Sequence, residues 1–104
     1  MNAVKKIEAI FPPSRVGDVR QALLDLNLLE FVLSDVKDFA PRNRRVTRYR
    51  GVEHVADDKS AVRLEIVTRD TQTEIVAEAI LMALIGYGAD TRILVSDVYE
   101  ILTH

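Results

Sequence analysis

The sequence predicts an α+β fold, the ferredoxin-like βαββαβ sandwich, in which two helices cover one face of a four-stranded antiparallel sheet. Strand-like and helix-like segments follow one another as β-α-β, a long loop between strands two and three, and β-α-β again. Right-handed crossovers in both halves bring the two helices to the same face of the sheet. The 104 residues are expected to form a single domain, 1–104.

The chain opens with a predicted strand and a predicted helix. In Val4–Phe11, apolar residues alternate with charged ones, as in a strand with one buried face. Pro12-Pro13 ends this strand, because two prolines remove two donors from the hydrogen-bond ladder. A helix is predicted from an N-cap at Ser14 to about Leu26, since apolar residues recur every three or four positions. Asn27 is the predicted left-handed stop of that helix.

Further strands and a second helix are predicted downstream. The clearest strand is Ala61–Val67, in which aliphatic and charged side chains alternate strictly, as in a half-buried antiparallel strand. The other elements are a strand over Phe31–Phe39, a helix from a cap at Asp70 or Thr71 to about Ile85, a strand over Arg92–Val95, and a short strand or turn over Asp97–Leu102.

The segment Ala40–Lys59, called the basic segment below, separates the two halves. It has neither a helical nor a strand period, so it is predicted to be an irregular loop of about 20 residues, a length that usually serves a function. It holds five of the ten arginines, namely Arg42, Arg44, Arg45, Arg48 and Arg50. Six basic residues against three carboxylates give it a net charge of +3, whereas the whole chain carries −2. This polarity favours a local anionic or acidic partner over a nucleic acid.

Composition excludes several kinds of site. Without cysteine, the chain can form neither a disulfide nor a thiolate metal site. Its two histidines, His54 and His104, are too few for a metal site in one chain, so none is predicted. No arrangement of serine, histidine and aspartate suggests an enzyme. No apolar run approaches the roughly 20 residues of a membrane span, and the N-terminus lacks a signal-peptide core, so a cytoplasmic location is expected.

The sheet face away from the helices is expected to be partly apolar. Ala9, Phe11, Val67 and Leu94 are assigned to this face. An exposed apolar face needs a cover, and further copies of the same chain would supply one.

Six segments follow one another from about Lys5 to Val98: KKIEAIF, V-x-x-V-R-x-A-L, S-D-V-K-x-F, Y-R-G-V-E-H-V-A-D, V-R-L-E-I-V and R-I-L-V-x-D-V. In this order and spacing they resemble the PII nitrogen-regulatory protein family. The resemblance implies a homotrimer of ferredoxin-like subunits that bind adenine nucleotides in the clefts between them. It also implies that the basic segment is a T-loop, which docks on a membrane transporter or a metabolic enzyme.

The resemblance also assigns candidate residues. Arg92 stands where the family has a phosphate-contacting lysine, and Arg50 where some members have an arginine that plugs a transporter pore. The implied nucleotide-binding residues are Val32, Phe39, Ala40, Arg42, Val67, Gly86, Gly88, Asp90 and Arg92. The implied partner-binding residues are Arg44, Arg45, Arg48, Tyr49, Arg50 and Glu53.

Several positions depart from the family pattern. His54 stands where many members carry a tyrosine that is uridylylated, which predicts that this modification is absent. Arg42 replaces a glutamine that helps to hold 2-oxoglutarate and magnesium, so the resemblance does not extend to these two ligands. Ala40 replaces a glycine, and the phosphate-binding loop that begins at Gly86 is shortened.

The residues leave more than one function open. Gly86 also fits a plain helix C-cap, and the arginines also fit a solvated charge run. The first hypothesis is a regulator that binds an adenine nucleotide. The second is a ligand-independent module that docks on a membrane transporter, and a sensor of another small anion such as bicarbonate is a further alternative. Nucleic acid is disfavoured, because Tyr49 is the only aromatic residue among the arginines.

Overall fold

A computed structural model describes residues 3–86 and 91–101, and it has the predicted ferredoxin-like fold. Its elements are β1 (Val4–Phe11), α1 (Val16–Asp25), β2 (Val32–Phe39), β3 (Arg45–Tyr49), β4 (Val52–Ala56), β5 (Asp58–Arg69), α2 (Thr73–Leu84) and β6 (Ile93–Val98). The antiparallel sheet has the order β2-β5-β1-β6, and β3 and β4 form a separate ribbon. Among the described residues, neither helix is long and apolar enough to cross a membrane.

The first helix begins later than predicted, because a 3-10 turn precedes it. Pro13–Arg15 forms this turn, and the fixed φ of proline suits its first position. Ser14 therefore lies inside the turn and is not the N-cap; Arg15 holds that position without a side-chain capping bond. The predicted stop is correct: Asn27 has a φ of 59°, in the left-handed region.

The second helix is also preceded by a 3-10 turn. Asp70–Gln72 forms it and contains both predicted capping residues, so α2 begins at Thr73. The hydroxyl of Thr73 donates to the backbone oxygen of Arg69 at 3.0 Å and lies 2.9 Å from the hydroxyl of Thr68. These two contacts tie the start of α2 to the end of β5, where both threonines are buried.

The core lies between the sheet and the two helices. Side chains alternate across a strand, and one set from β1 and one from β5 are buried against the helices. The core consists of Ile7, Ala9, Phe11, Val19, Leu23, Val62, Leu64, Ile66, Val76, Ile80 and Leu84. Ala9 and Phe11 are only 1% and 2% exposed, so their assignment to the opposite face is wrong. They follow Ile7 by two and four residues, so they lie on the same face of β1 as Ile7, which is fully buried.

The opposite face of the sheet carries no helix, and we call it the bare face. It presents Lys6, Glu8 and Ile10 from β1, Val32 and Ser34 from β2, Arg63, Glu65 and Val67 from β5, and Leu94 from β6. Val67 and Leu94 are 46% and 57% exposed here, as the sequence predicts. The bare face is therefore partly apolar, with charged residues in its middle.

Two strands differ in length from their prediction. β5 begins at Asp58, three residues before Ala61, because its pairing with β2 continues to Phe39. β6 continues to Val98, opposite Val4 of β1. The strand or turn predicted over Asp97–Leu102 is therefore not a separate element: its first two residues belong to β6, residues 99–101 have no regular structure, and Leu102 lies outside the described residues.

Leu23→Ala is expected to lower the free energy of unfolding by about 2–5 kcal/mol, because the side chain is fully buried and its removal leaves a cavity between α1 and the sheet. Leu24→Ala is the matched control: its side chain is 51% exposed on the same helix, and a change within about 0.5 kcal/mol is expected. Urea denaturation followed by circular dichroism measures both. Equal losses in the two variants would contradict this packing.

Candidate functional site

The basic segment is not the irregular loop that its sequence predicts. After the 3-10 turn Pro41–Asn43, β3 and β4 pair from Arg45 opposite Ala56 to Tyr49 opposite Val52. We call this hairpin, residues 45–56, the arm. All its residues except Ala56 are exposed, so it does not pack on the sheet or the helices. The molecule measures 60 × 29 × 20 Å, as expected for an arm that projects from the sheet.

The tip of the arm is a tight turn formed by Arg50 and Gly51. Their φ angles are 52° and 77°, and two successive positive values between paired Tyr49 and Val52 indicate a type I′ hairpin turn. Glycine adopts this region readily, whereas arginine does so uncommonly. The guanidinium carbon of Arg50 lies 5.3 Å from the ring centroid of Tyr49, a cation–π distance. The tip therefore presents a cation and an aromatic ring together.

The five arginines of the basic segment fall into two groups. Arg42 and Arg45 contact carboxylates at the base of the arm, those of Asp38 and Asp58 respectively. The other three are exposed, and they form no ion pair with any described residue. We call these three the free arginines: Arg44, Arg48 and Arg50. Of the predicted partner-binding residues, Arg45 is thus engaged within the chain.

Cross-strand pairing divides the arm into two faces. One face carries the pairs Arg45–Ala56, Thr47–His54 and Tyr49–Val52, and the other carries Val46–Val55 and Arg48–Glu53. Val46, Val52 and Val55 are each 50–55% exposed. Each face therefore places half-exposed valine beside cationic groups, a combination of apolar and arginine surface that is common in protein–protein interfaces.

Several predicted nucleotide-binding residues lie at the end of the sheet that bears the arm, spread between its two edges. Phe39 is 66% exposed at the end of β2, and Ala40, which is buried, donates its backbone N–H to Asp57. Gly86 follows α2 with a φ of 87°, which fits its interpretation as a helix C-cap. Arg92 is exposed directly before β6. β2 and β6 are opposite edges of the sheet, about 14 Å apart at three strand spacings.

The remaining predicted nucleotide-binding residues lie elsewhere. Val32 and Val67 are neighbours on the bare face, where they border a groove at the end of the sheet opposite the arm. Val32 and Phe39 are at the two ends of β2, about 23 Å apart along the strand. One copy of the chain therefore does not bring the predicted set together. Gly88 and Asp90 lie outside the described residues.

Charged side chains form a connected cluster in the middle of the bare face. Glu8 and Glu65 lie directly opposite each other on β1 and β5. Lys6 Nζ lies 2.8 Å from Glu8 Oε1 and 4.0 Å from Glu65 Oε2, and Arg63 Nε lies 3.0 Å from Glu65 Oε1. The hydrogen bond and positive charge of Lys6 lower the pKa of Glu8, and the same hydrogen bond and the charge of Glu8 raise the pKa of Lys6.

The described residues contain no grouping of three or more histidine, aspartate and glutamate side chains that is arranged to hold a metal ion. His54 lies on the arm opposite Thr47, and His104 lies outside the described residues.

Three residues at the base of the arm form contacts that were not predicted from the sequence. Asp38 accepts from Arg42, Asn43 donates its side-chain amide to the backbone oxygen of Asp38 at 2.8 Å, and Asp58 accepts from Arg45. One signal was available: Asp38 and Arg42 are opposite charges four positions apart, on either side of a proline.

Comparison with known proteins identifies close relatives. No protein-family model matches the chain. It is 35% identical over 100 residues to the nitrogen regulatory protein P-II of Pasteurella multocida and 36% identical to that of Rhizobium meliloti, with 95% of this chain and 89% of each relative covered. Among solved structures it is similar to Arabidopsis thaliana PII bound to citrate, with a TM-score of 0.72, 26% identity, and 93% of this chain and 78% of that chain covered.

Lys6→Gln is expected to lower the melting temperature at neutral pH, because Glu8 and Glu65 then face each other without the cation between them. The pKa of Glu8 is lowered from its ordinary value of 4.5, so the stabilisation by its ion pair is present above that value. It is lost as the pH falls through the lower pKa of the folded state. The difference between variant and parent should therefore shrink from about pH 5 downward.

The control for this titration is Lys37→Gln. Lys37 is exposed on β2 and forms no ion pair with a described residue, so its melting temperature should follow that of the parent at each pH. Thermal unfolding from pH 7 to pH 3 measures all three proteins. A difference between Lys6→Gln and the parent that does not change with pH would contradict the role assigned to Glu8.

Proposed function

The chain belongs to the nitrogen regulatory P-II protein family, and we propose that it is a cytoplasmic homotrimer that binds an adenine nucleotide between its subunits and controls a membrane transporter or a metabolic enzyme through the arm. P-II proteins are regulatory signal-transduction proteins rather than enzymes. The relatives support the regulatory role. The adenine nucleotide, the target and the homotrimer are what the family resemblance implies, and the surfaces of this chain described below are compatible with them.

The observation that carries the proposal is the exposure of the arm. A two-stranded hairpin without further packing is marginally stable in water, so the fold gains little stability from the arm itself. The arm nevertheless holds two of the free arginines, Arg48 and Arg50, with Arg44 directly before it, and it also holds a tyrosine at its tip and three half-exposed valines. Arginine suits bidentate contacts with carboxylates. A surface of this kind fits a target that presents acidic groups around an apolar patch.

The placement of the candidate nucleotide residues supports a site between subunits. Gly86 and Arg92 are at the arm-bearing end of the sheet, where a backbone N–H and a guanidinium suit phosphate. Val32 and Val67 are at the other end, too far away to line the same site in one copy. A second copy would have to supply them, and a ligand there would contact residues near the base of the arm.

The bare face supports assembly of several copies. Val32, Val67 and Leu94 are 46–60% exposed on it. The hydroxyl oxygen of Ser34 is buried on the same face and finds no hydrogen-bond partner among the described residues. A buried hydroxyl is normally paired, so a partner subunit that donates to or accepts from Ser34 would satisfy it. We assign this face to contacts within the homotrimer.

A second candidate function, sensing of a small anion, has its own supporting observation. One similar solved structure is a plant PII bound to citrate, a carboxylate ligand. In this chain Arg42 is already paired with Asp38. Any anion bound by Arg42, such as bicarbonate or citrate, would have to compete with that carboxylate. If no small molecule binds, the remaining function is an arm that docks on its target without any ligand.

Arg92→Ala is expected to weaken adenine nucleotide binding by about 1.5–3 kcal/mol, the contribution of a hydrogen bond to a charged group. Titration calorimetry with ATP, ADP and AMP measures this. Arg20→Ala is the control, since Arg20 is exposed on α1 and is not one of the predicted nucleotide-binding residues. If no nucleotide produces heat of binding and bicarbonate or citrate does, the effector is a small anion and not a nucleotide. Unchanged affinity in Arg92→Ala would remove that residue from the site.

Substitution of the free arginines by glutamine is expected to abolish capture of the target from membrane or cytosolic extracts of the native cell. A matched variant removes the same number of positive charges from exposed residues outside the arm: Arg20→Gln, Lys37→Gln and Lys59→Gln. The control should retain capture, because those residues lie outside the arm. Equal loss in both variants would mean that general charge, and not the arm, attracts the target.

A further inference from the structure

The corner where the arm joins the sheet is asymmetric. On the incoming strand, five residues from Ala40 to Arg44 separate β2 from β3, whereas Asp57 alone separates β4 from β5. The backbone N–H of Ala40 donates to Asp57 at 3.0 Å, the last ladder bond before the corner. Extra residues on one strand only bend a ribbon and interrupt its pairing. The direction of the arm is therefore decided by the contacts at this corner.

One contact closes the corner on the incoming strand. Arg42 Nη2 lies 2.8 Å from Asp38 Oδ2, and the side-chain amide of Asn43 donates to the backbone oxygen of Asp38 at 2.8 Å. The side chain of Asp38 is only 17% exposed, so its pair with Arg42 is screened less than an open surface pair. Asp38 thus receives two donors from the 3-10 turn and holds that turn against the end of β2.

A second contact closes the corner on the outgoing strand. Arg45, the first residue of β3, donates to the backbone oxygen of Asp58, and its guanidinium lies 3.9 Å from the carboxylate of the same residue. Asp58 is the first residue of β5. This contact therefore joins the beginning of the arm directly to the sheet, on the strand opposite the first contact.

We propose that these two arginine–aspartate contacts form a double latch that sets the direction of the arm without any ligand. All arm residues except Ala56 are exposed, so packing on the described sheet and helices does not fix the direction of the arm. A latch on each strand resists both bending and twisting about the corner. Arg42 and Arg45 are positioning residues, and the free arginines are left for a partner. The latch is a property of the isolated protein and does not depend on the proposed nucleotide or target.

The test follows the motion of the arm in the full-length protein alone. The chain has no cysteine, so Val52→Cys introduces a single thiol near the tip for a fluorescent label. Time-resolved anisotropy then separates slow tumbling of the whole protein from fast motion of an unlatched arm. The latch variants are Arg42→Gln, Arg45→Gln and the double variant. The control is Arg48→Gln. It also removes one positive charge, but Arg48 lies on the arm and forms no ion pair with a described residue.

Each latch variant is expected to raise the population of unlatched arms about 1.5- to 5-fold, the range for one solvent-accessible ion pair, and the double variant to raise it further. Arg48→Gln should match the parent. In the parent, about 1 M salt should raise this population part of the way towards that of the double variant, because a pair whose carboxylate is 17% exposed is only partly screened, and the double variant should respond less. Fast motion that is equal in the parent and the double variant, or equally raised in Arg48→Gln, would overturn the proposal. Unchanged thermal unfolding of the labelled variants verifies that the sheet remains intact.

Discussion

Strand β5 is hydrogen-bonded on both sides through the middle of its length, and the rest of the fold depends on this double pairing. It pairs with β1 from Val62 to Arg69 and with β2 from Asp58 to Glu65. A slip of one residue would turn its buried side chains to the bare face, so burial fixes the register. Because β4 leads into Asp58 through a single residue, the register that fixes the core also fixes the point at which the arm leaves the sheet.

The strands of the sheet could be predicted from the sequence and those of the arm could not, because only the strands of the sheet have one buried face. Burial of one face gives a strand a period of two, which is visible in Ala61–Val67. Both faces of the arm are in solvent, so nothing selects apolar residues at alternate positions. Its turn contains Arg50-Gly51 in place of the Asn-Gly or Asp-Gly that usually marks a type I′ hairpin. The misplacement of Ala9 and Phe11 was avoidable, since alternation alone puts them on the face of Ile7.

The candidate site was predictable in its residue types and not in its geometry. In the sequence the five arginines of the basic segment are equivalent, and only the positions of Asp38 and Asp58 distinguish engaged from free ones. The separation of Val32 from Phe39 was, by contrast, available from strand length: residues at the two ends of an eight-residue strand cannot line one small site. The phosphate-binding role proposed for Arg92 would depend on neighbours that alternation and charge do not specify.

The arm has a further consequence for the behaviour of the protein in concentrated solution. Its ribbon has only two strands, so each outer edge leaves backbone N–H and C=O groups without a strand partner among the described residues. Such edges are templates on which strands of other molecules can add, and charged side chains are a common protection against this. Two arms that approach edge to edge bring like-charged guanidinium groups together and repel each other, whereas a strand rich in carboxylates meets no such barrier. The arginines thus disfavour pairing of the arm with other basic strands and not with acidic ones. This discrimination weakens as salt shortens the range of the repulsion.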